Sequence, residues 1–148
     1  ETHLIPLVLE VPLGKRKDIK LFGDDYPTPD GTCIRDYVHI EDLASAHLLA
    51  ISATEPTTAE VYNIGTGNGV SVFEIHQACE AVTGTTIPYE VQDRRPGDPP
   101  ALVADPTKLK SRLGWQPRFL DIRETIETAW AWHQKFPHGY PSVEGTGP

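Results

Sequence analysis

The feature that most constrains this chain is an alternation of strand-length runs with helical stripes, punctuated by glycine, proline and capping residues. Leu4 to Leu13 opens the pattern: Leu4, Val8 and Val11 fall at helical spacing, with Ile5 and Leu7 beside them. Pro6 suits a first helical turn, whereas Pro12 ends the helix within about a turn, and Gly14 and the basic run Lys15–Lys17 reinforce the stop. Ile19 to Phe22 predicts a short strand. The turn-forming stretch Gly23 to Gly31 is a loop. Arg35 to Ile40 alternates as a strand, Tyr37 and His39 facing away from Val38 and Ile40. A helix is expected from Glu41 to Ser52, with Glu41 and Asp42 in its first turn, where the helix dipole favours negative charge.

The alternation continues to the end. Val61 to Ile64 predicts a strand running into Gly65-Thr66-Gly67-Asn68-Gly69. Ser71 and Glu74 fit a capping box ahead of a helix whose apolar stripe is Val72, Ile75, Cys79 and Val82, and Gly84 is placed to close it. Ile87 to Val91 is another strand, and Arg94 to Pro100 a loop. A short helix follows, with Asp105 as N-cap and Pro106 in the first helical position, ended by Gly114. Asp121 and Glu124 predict a second capping box, behind Leu120, for a last helix burying Ile122, Ile126, Ala129, Trp130 and Phe136. The tail 141–148 is expected to be disordered. Strands alternating with helices mean an α/β fold, and 148 residues suit one domain.

Charge and apolar patterning narrow the partners. The net charge of −8 argues against nucleic acid, which needs a basic face. No apolar run approaches the ~18 residues that span a bilayer, and no basic n-region precedes an apolar h-region. Membrane partners are therefore not expected, and the cytoplasm is the expected compartment. Cys33 and Cys79 lack C-x-x-C spacing; two free thiols are the expectation, with a disulfide the alternative. The chain contains no methionine and opens at Glu1 straight into a helical pattern, which is expected of a piece of a longer protein.

Few residue clusters carry chemistry. The Gly65–Gly69 run lies between a strand and a helix, but Val70 stands where G-x-G-x-x-G needs its third glycine, so a tight turn is expected there. Arg35 and the pair Arg94–Arg95 could hold a diphosphate, because guanidinium donates two parallel charge-assisted hydrogen bonds. Asp98, three residues past Arg95, could accept from two ribose hydroxyls; a simple surface pair with Arg95 is the competing interpretation. The six histidines are scattered, with no H-x-x-x-H or H-E-x-x-H, so no metal site is expected. His39 suits a helix-start contact, and Trp115, Trp130 and Trp132 suit packing. No G-x-S-x-G occurs, and both cysteines fall in segments that look buried. These patterns yield an α/β module with an anion grip and no reaction.

The string Tyr26-Pro27-Thr28-Pro29-Asp30-Gly31-Thr32-Cys33-Ile34-Arg35-Asp36-Tyr37-Val38-His39 resembles UDP-glucose 4-epimerases, members of the extended short-chain dehydrogenase/reductases. The resemblance extends in collinear order through Thr2 to Pro6, Val61 to Gly67, Arg94 to Pro99, Asp105 to Trp115 and His138 to Tyr140. It implies an enzyme that interconverts UDP-galactose and UDP-glucose, with bound NAD as a temporary oxidant at C4. It also implies that Arg35 and Arg95 hold the diphosphate of a UDP-hexose, that Asp98 binds the uridine ribose, and that Phe22 contacts the uracil. Tyr37 would line the same pocket, and His3 and Leu4 would contact the nucleotide sugar at a helix start.

The departures define what is expected of this chain alone. The NAD-binding glycine turn and the Y-x-x-x-K pair of the family do not occur, so no catalytic or cofactor-binding residue is assigned and the chain alone is expected to be inactive. Residues 1–148 are expected to form a single C-terminal substrate-domain fragment, in which about 33–55 and 60–70 complete the missing N-terminal NAD-binding half. The intact enzyme could be a homodimer. Leu102 stands where several relatives carry an aromatic, a change that could widen the sugar pocket toward N-acetylated sugars. Two alternatives stay open: a stand-alone, non-catalytic UDP-sugar-binding module, and an epimerase or dehydratase of another nucleotide sugar.

Overall fold

The computed structural model describes residues 2–55, 57 and 59–140; the tail 141–148, expected to be disordered, lies outside the described residues. In chain order the elements are α1 (Leu4–Leu9), β1 (Ile19–Phe22), β2 (Ile34–Arg35), α2 (Ile40–Ser52), β3 (Val70–Ser71), α3 (Val72–Thr83), β4 (Tyr89–Gln92), β5 (Ala101–Leu102), α4 (Thr107–Leu113) and α5 (Ile122–Lys135). β1 lies parallel to β4, with Ile19 opposite Tyr89 and Phe22 opposite Gln92. A second small sheet has the order β3-β2-β5, in which β2 is antiparallel to β3 and parallel to β5. The class is α/β, as the alternation predicts.

Period-two and period-3.6 patterns converge on one core. Ile19 and Leu21 point inward from β1 while Lys20 between them is exposed. They meet Val8 and Leu9 of α1, Ile75 and Cys79 of α3, Ile87, and Ile126 of α5. Ile75 and Ile126 are fully buried, each contributing roughly 2–3 kcal/mol through lost apolar exposure. A smaller cluster joins Ala46 of α2, Leu109 of α4 and Trp115. There the indole N–H of Trp115 donates to the Asp42 carbonyl (3.2 Å) and to Ser45 Oγ (3.0 Å). The buried Asp42 carboxylate accepts the amides of Arg118 (2.8 Å) and Phe119 (2.9 Å), which ties α2 to the approach to α5. Trp130 packs against the main core, and Trp132 stacks among His133, Phe136 and Tyr140.

The local signals hold where the partner is also local. Ser71 and Glu74 form the capping box, and Gly84 closes α3 in the left-handed region at φ 65°. His39 makes the helix-start contact: its Nδ1 accepts the Glu41 amide at 3.1 Å, while its ring stacks on Phe119 at 3.7 Å. Both cysteines are free and buried. Asp105 accepts the Thr107 amide at 2.9 Å, but α4 starts at Thr107, so Pro106 occupies the cap position instead of the first turn. Asp121 caps α5 through the Arg123 amide at 2.9 Å, where Glu124 was expected to complete a box.

Two predicted strands are corrected. The run Arg35–Ile40 is a strand only at Ile34–Arg35, because both neighbours, β3 and β5, offer just two residues to pair with, and Ile40 already begins α2. Val61–Ile64 enters no ladder among the described residues: extended residues need a paired neighbour to become a strand, and none lies alongside. The strand expected over Ile87–Val91 shifts to Tyr89–Gln92, since Ile87 turns into the core and gives its amide to Glu80 Oε1 at 2.7 Å. Ala101–Leu102 emerges from what reads as loop.

Candidate functional site

An open cavity of about 480 Å³ lies where α1, β1, β2 and the loop before β5 come together. Six of the seven residues expected at a ligand site line it: Leu4, Phe22, Arg35, Tyr37, Arg95 and Asp98. His3 does not; it is the N-cap residue of α1 and is exposed. Arg16, Lys20 and Cys33 also line the cavity and were missed. The sequence reads the basic run containing Arg16 as a helix stop; the signal of an anion site is that four basic side chains, Arg16, Lys20, Arg35 and Arg95, line one cavity of an acidic protein. Leu102, expected to shape a sugar pocket, is 63% exposed and is not among the cavity-lining residues.

The loop ahead of Arg35 is held at both ends by its own polar side chains. Asp30 Oδ1 accepts the Thr32 amide (2.9 Å) and hydroxyl (2.8 Å), and Asp30 Oδ2 accepts the hydroxyl of Ser71. Thr32 Oγ1 in turn accepts the Phe73 amide at 3.1 Å, so the loop is fastened to the start of α3. Burial works to raise the Asp30 carboxyl, but the bonds from Ser71 and Thr32 together outweigh it and hold the group below its ordinary range. Gly31 takes φ +81°, and a Cβ there would sit 1.8 Å from the Asp24 carbonyl oxygen, so only glycine fits. The loop therefore delivers Arg35 at a fixed point on the cavity wall.

Arg35 is braced on its protein side. Nη1 donates to the carbonyls of Ile34 (2.7 Å) and Pro99 (3.0 Å), and Nη2 lies 3.3 Å from Asp98 Oδ1. Arg95 is placed differently: its guanidinium lies 3.9 Å over the Phe22 ring, a cation–π contact, and no carboxylate pairs with it among the described residues. The expected alternative of an Arg95–Asp98 surface pair is not what forms; Asp98 pairs with Arg35. Arg94 stands apart from the cavity, bonded to Asp25 at 2.6 Å and stacked 4.3 Å from the Tyr26 ring centroid. That hydrogen bond lowers the Asp25 carboxyl below its usual value. Burial pushes the Tyr37 hydroxyl up to about 12, so this cavity residue stays protonated and able to donate.

The glycine run is filled from within. Asp36 accepts the Thr66 amide (2.9 Å), the Thr66 hydroxyl (2.8 Å), the Gly67 amide (3.0 Å) and the Ala104 amide (3.3 Å). A Cβ at Gly65 would lie 2.5 Å from the Asp36 carboxylate and 2.4 Å from Ala104. The amides that would cradle a dinucleotide phosphate are thus occupied by a carboxylate of the same chain. This turn does not fit NAD, and among the described residues no group of histidine, cysteine and carboxylate side chains fits a metal ion. No described helix is long and apolar enough to cross a membrane.

With the geometry established, comparison with known proteins places the chain. The profile of the family described as GDP-mannose 4,6 dehydratase matches residues 1–129. The chain belongs to this family. A UDP-glucose 4-epimerase of Halalkalibacterium halodurans is 48% identical over 141 residues, covering 95% of this chain and 42% of the relative. A crystal structure of UDP-glucose 4-epimerase superposes with a TM-score of 0.89 at 55% identity, covering 96% of this chain and 44% of the other. The Bifidobacterium longum UDP-glucose 4-epimerase, solved in complex with NAD+ and UDP, gives 0.88 at 41% identity over 95% of this chain and 42% of that one. The chain thus spans about two fifths of the length of the relatives it matches, with the mixed α/β fold of part of an extended short-chain dehydrogenase/reductase.

Proposed function

We propose that this chain is the UDP-sugar-holding portion of an NAD-dependent epimerase that interconverts UDP-galactose and UDP-glucose by transient oxidation at C4. The observation that carries this is the convergence of Arg35, Arg95 on Phe22, and Asp98 in the lining of a single cavity. Two guanidinium groups suit a diphosphate, each charged hydrogen bond contributing about 1.5–3 kcal/mol. A carboxylate has two oxygens, so pairing with Arg35 leaves Asp98 capacity to accept from the ribose hydroxyls. Phe22 is proposed to contact the base, Tyr37 to donate to the ligand, and Leu4 to contact the nucleotide sugar, all three being cavity-lining residues. His3, outside the cavity lining, would act only at the rim.

In this scheme NAD supplies the hydride chemistry and is not held by this chain alone. What these residues do is hold the nucleotide while leaving the sugar unclamped, which is catalysis by positioning. Residues 33–55 and 60–70 are proposed to complete the NAD-binding half. Supporting this, Ile40, Leu48 and Ile51 of α2 and Val61 are each at least two-thirds exposed, the face that such a half would cover. A small-molecule rather than nucleic-acid ligand agrees with the net charge of −8, and cytoplasmic residence of the whole enzyme is part of the proposal.

The family description favours a second possibility, that the nucleotide is GDP bearing mannose. Saturation-transfer NMR of the chain with UDP, then with GDP-mannose as competitor, separates the two. The proposal expects UDP signals that GDP-mannose leaves in place; displacement of UDP by GDP-mannose at equal concentration would overturn it.

A further inference from the structure

We propose that Asp36 is a positioning residue that sets the separation between the two halves of the nucleotide grip, Arg35 on one side and Arg95 with Asp98 on the other. The proposal rests on the UDP-holding function above. The two halves come from segments far apart in sequence, and the ladder joining them is short. β2 and β5 share only the pairs Ile34 with Ala101 and Arg35 with Leu102. Beside that ladder, the Ile34 amide donates to the Pro100 carbonyl at 2.8 Å, Arg35 Nη1 donates to the Pro99 carbonyl at 3.0 Å, and Arg35 Nη2 pairs with Asp98 across a part-exposed 3.3 Å contact. A two-residue parallel pairing is a weak clamp by itself.

Asp36 follows Arg35 directly, and its carboxylate is the next fastening along β2. One oxygen reaches the Ala104 amide at 3.3 Å, two residues past the end of β5, and the Gly67 amide at 3.0 Å. The other takes both donors of Thr66. Four donors from two other segments thus converge on one side chain. The closeness of Gly65 to Asp36 and Ala104 shows that the three strands of chain are packed without room for adjustment. Releasing the carboxylate frees the segment after β5 from β2. Through the short ladder, that also loosens the loop 95–100 that carries Arg95 and Asp98. The ligand does not touch Asp36 in this scheme; the residue acts through the spacing of the groups that do.

The test is Asp36→Asn, which keeps the shape but turns an NH2 toward the amide donors. UDP affinity is expected to fall about tenfold in Asp36→Asn. In an Arg35→Ala background the same change should cost less than about twofold more, because the spacing no longer matters once one half is gone. Full additivity of the two changes, or unaltered affinity in folded Asp36→Asn, overturns the proposal. A second readout needs no ligand. Amide hydrogen exchange should accelerate at Ile34 and Asp98 while Ile19 to Phe22 on the β1–β4 ladder keep their protection. Equal acceleration in both places indicates a general structural role and also overturns it. Should Asp36→Asn not fold, Thr66→Val, which removes one donor, takes its place: a roughly threefold loss of affinity supports the proposal and none refutes it. Failure of the unaltered chain to bind UDP would count against the nucleotide assignment, and the exchange result then decides the positioning role separately.

Discussion

Arg35 and Arg95 are the same residue type in opposite settings. Arg35 is held by two carbonyls and Asp98, whereas Arg95 is steadied by the Phe22 ring. Phe22→Leu should therefore act through Arg95 as well as through the proposed contact with the base. Losing a half-exposed cation–π contact of about 0.5–1 kcal/mol weakens UDP two- to fivefold, readable by fluorescence titration, and unchanged affinity would contradict the pairing. Burial also gives a pH signature. It raises the Cys79 thiol from 9.0 to about 12 and the Tyr37 hydroxyl from 10.0 to about 12. The folded chain then holds these protons more tightly than the unfolded one, so their contribution is whole below pH ~9 and is lost as pH rises toward 12. Urea midpoints should fall across that window. Cys79→Ala should flatten the early part of the fall and leave the part above pH ~10 that belongs to Tyr37. A flat wild-type profile would show that neither group is as buried as the fold places it.

At the scale of elements, what could be read from the sequence was whatever is decided within a few residues. Ser71 with Glu74, Gly84 and Gly114 lie next to the groups they serve, so their roles follow from spacing. The length of β2, the existence of β5 and the work of Asp36 depend on segments 30 to 68 residues away, which no local period encodes. The site was legible for a different reason: Arg35, Arg95 and Asp98 stand out by the chemistry of their side chains and take specific roles from family likeness, while the missed Arg16 and Lys20 sit in plain view as surface basic residues. The loop before Arg35 gives a direct check on element-scale reasoning. Gly31→Ala must leave the left-handed region and clear the Asp24 carbonyl, which should cost at least about 2 kcal/mol in chemical denaturation. Ser71→Ala removes a cap and the anchor of Asp30 together, so a loss of about 1–2 kcal/mol is expected. A loss of a few tenths in either variant would mean that the loop is not fixed as described.

For the whole molecule, the division of surface is the telling feature. One side presents a cavity lined by four basic side chains in a chain of net charge −8. Another presents Ile40, Leu48, Ile51 and Val61 to solvent, and Val61–Ile64, which enters no ladder among the described residues. Such a face drives self-association when nothing covers it. Leu48→Glu with Ile51→Lys should raise the monomer fraction in light scattering, and leave UDP affinity within about twofold since neither residue lines the cavity. Unchanged association would direct attention away from α2. The central claim, that this chain carries a working nucleotide grip, is tested most directly by calorimetric titration with UDP of the unaltered chain and of Arg95→Ala. Saturable binding that the variant weakens by more than about 1 kcal/mol is the predicted result. No binding by a demonstrably folded chain, or equal binding by both, would contradict it.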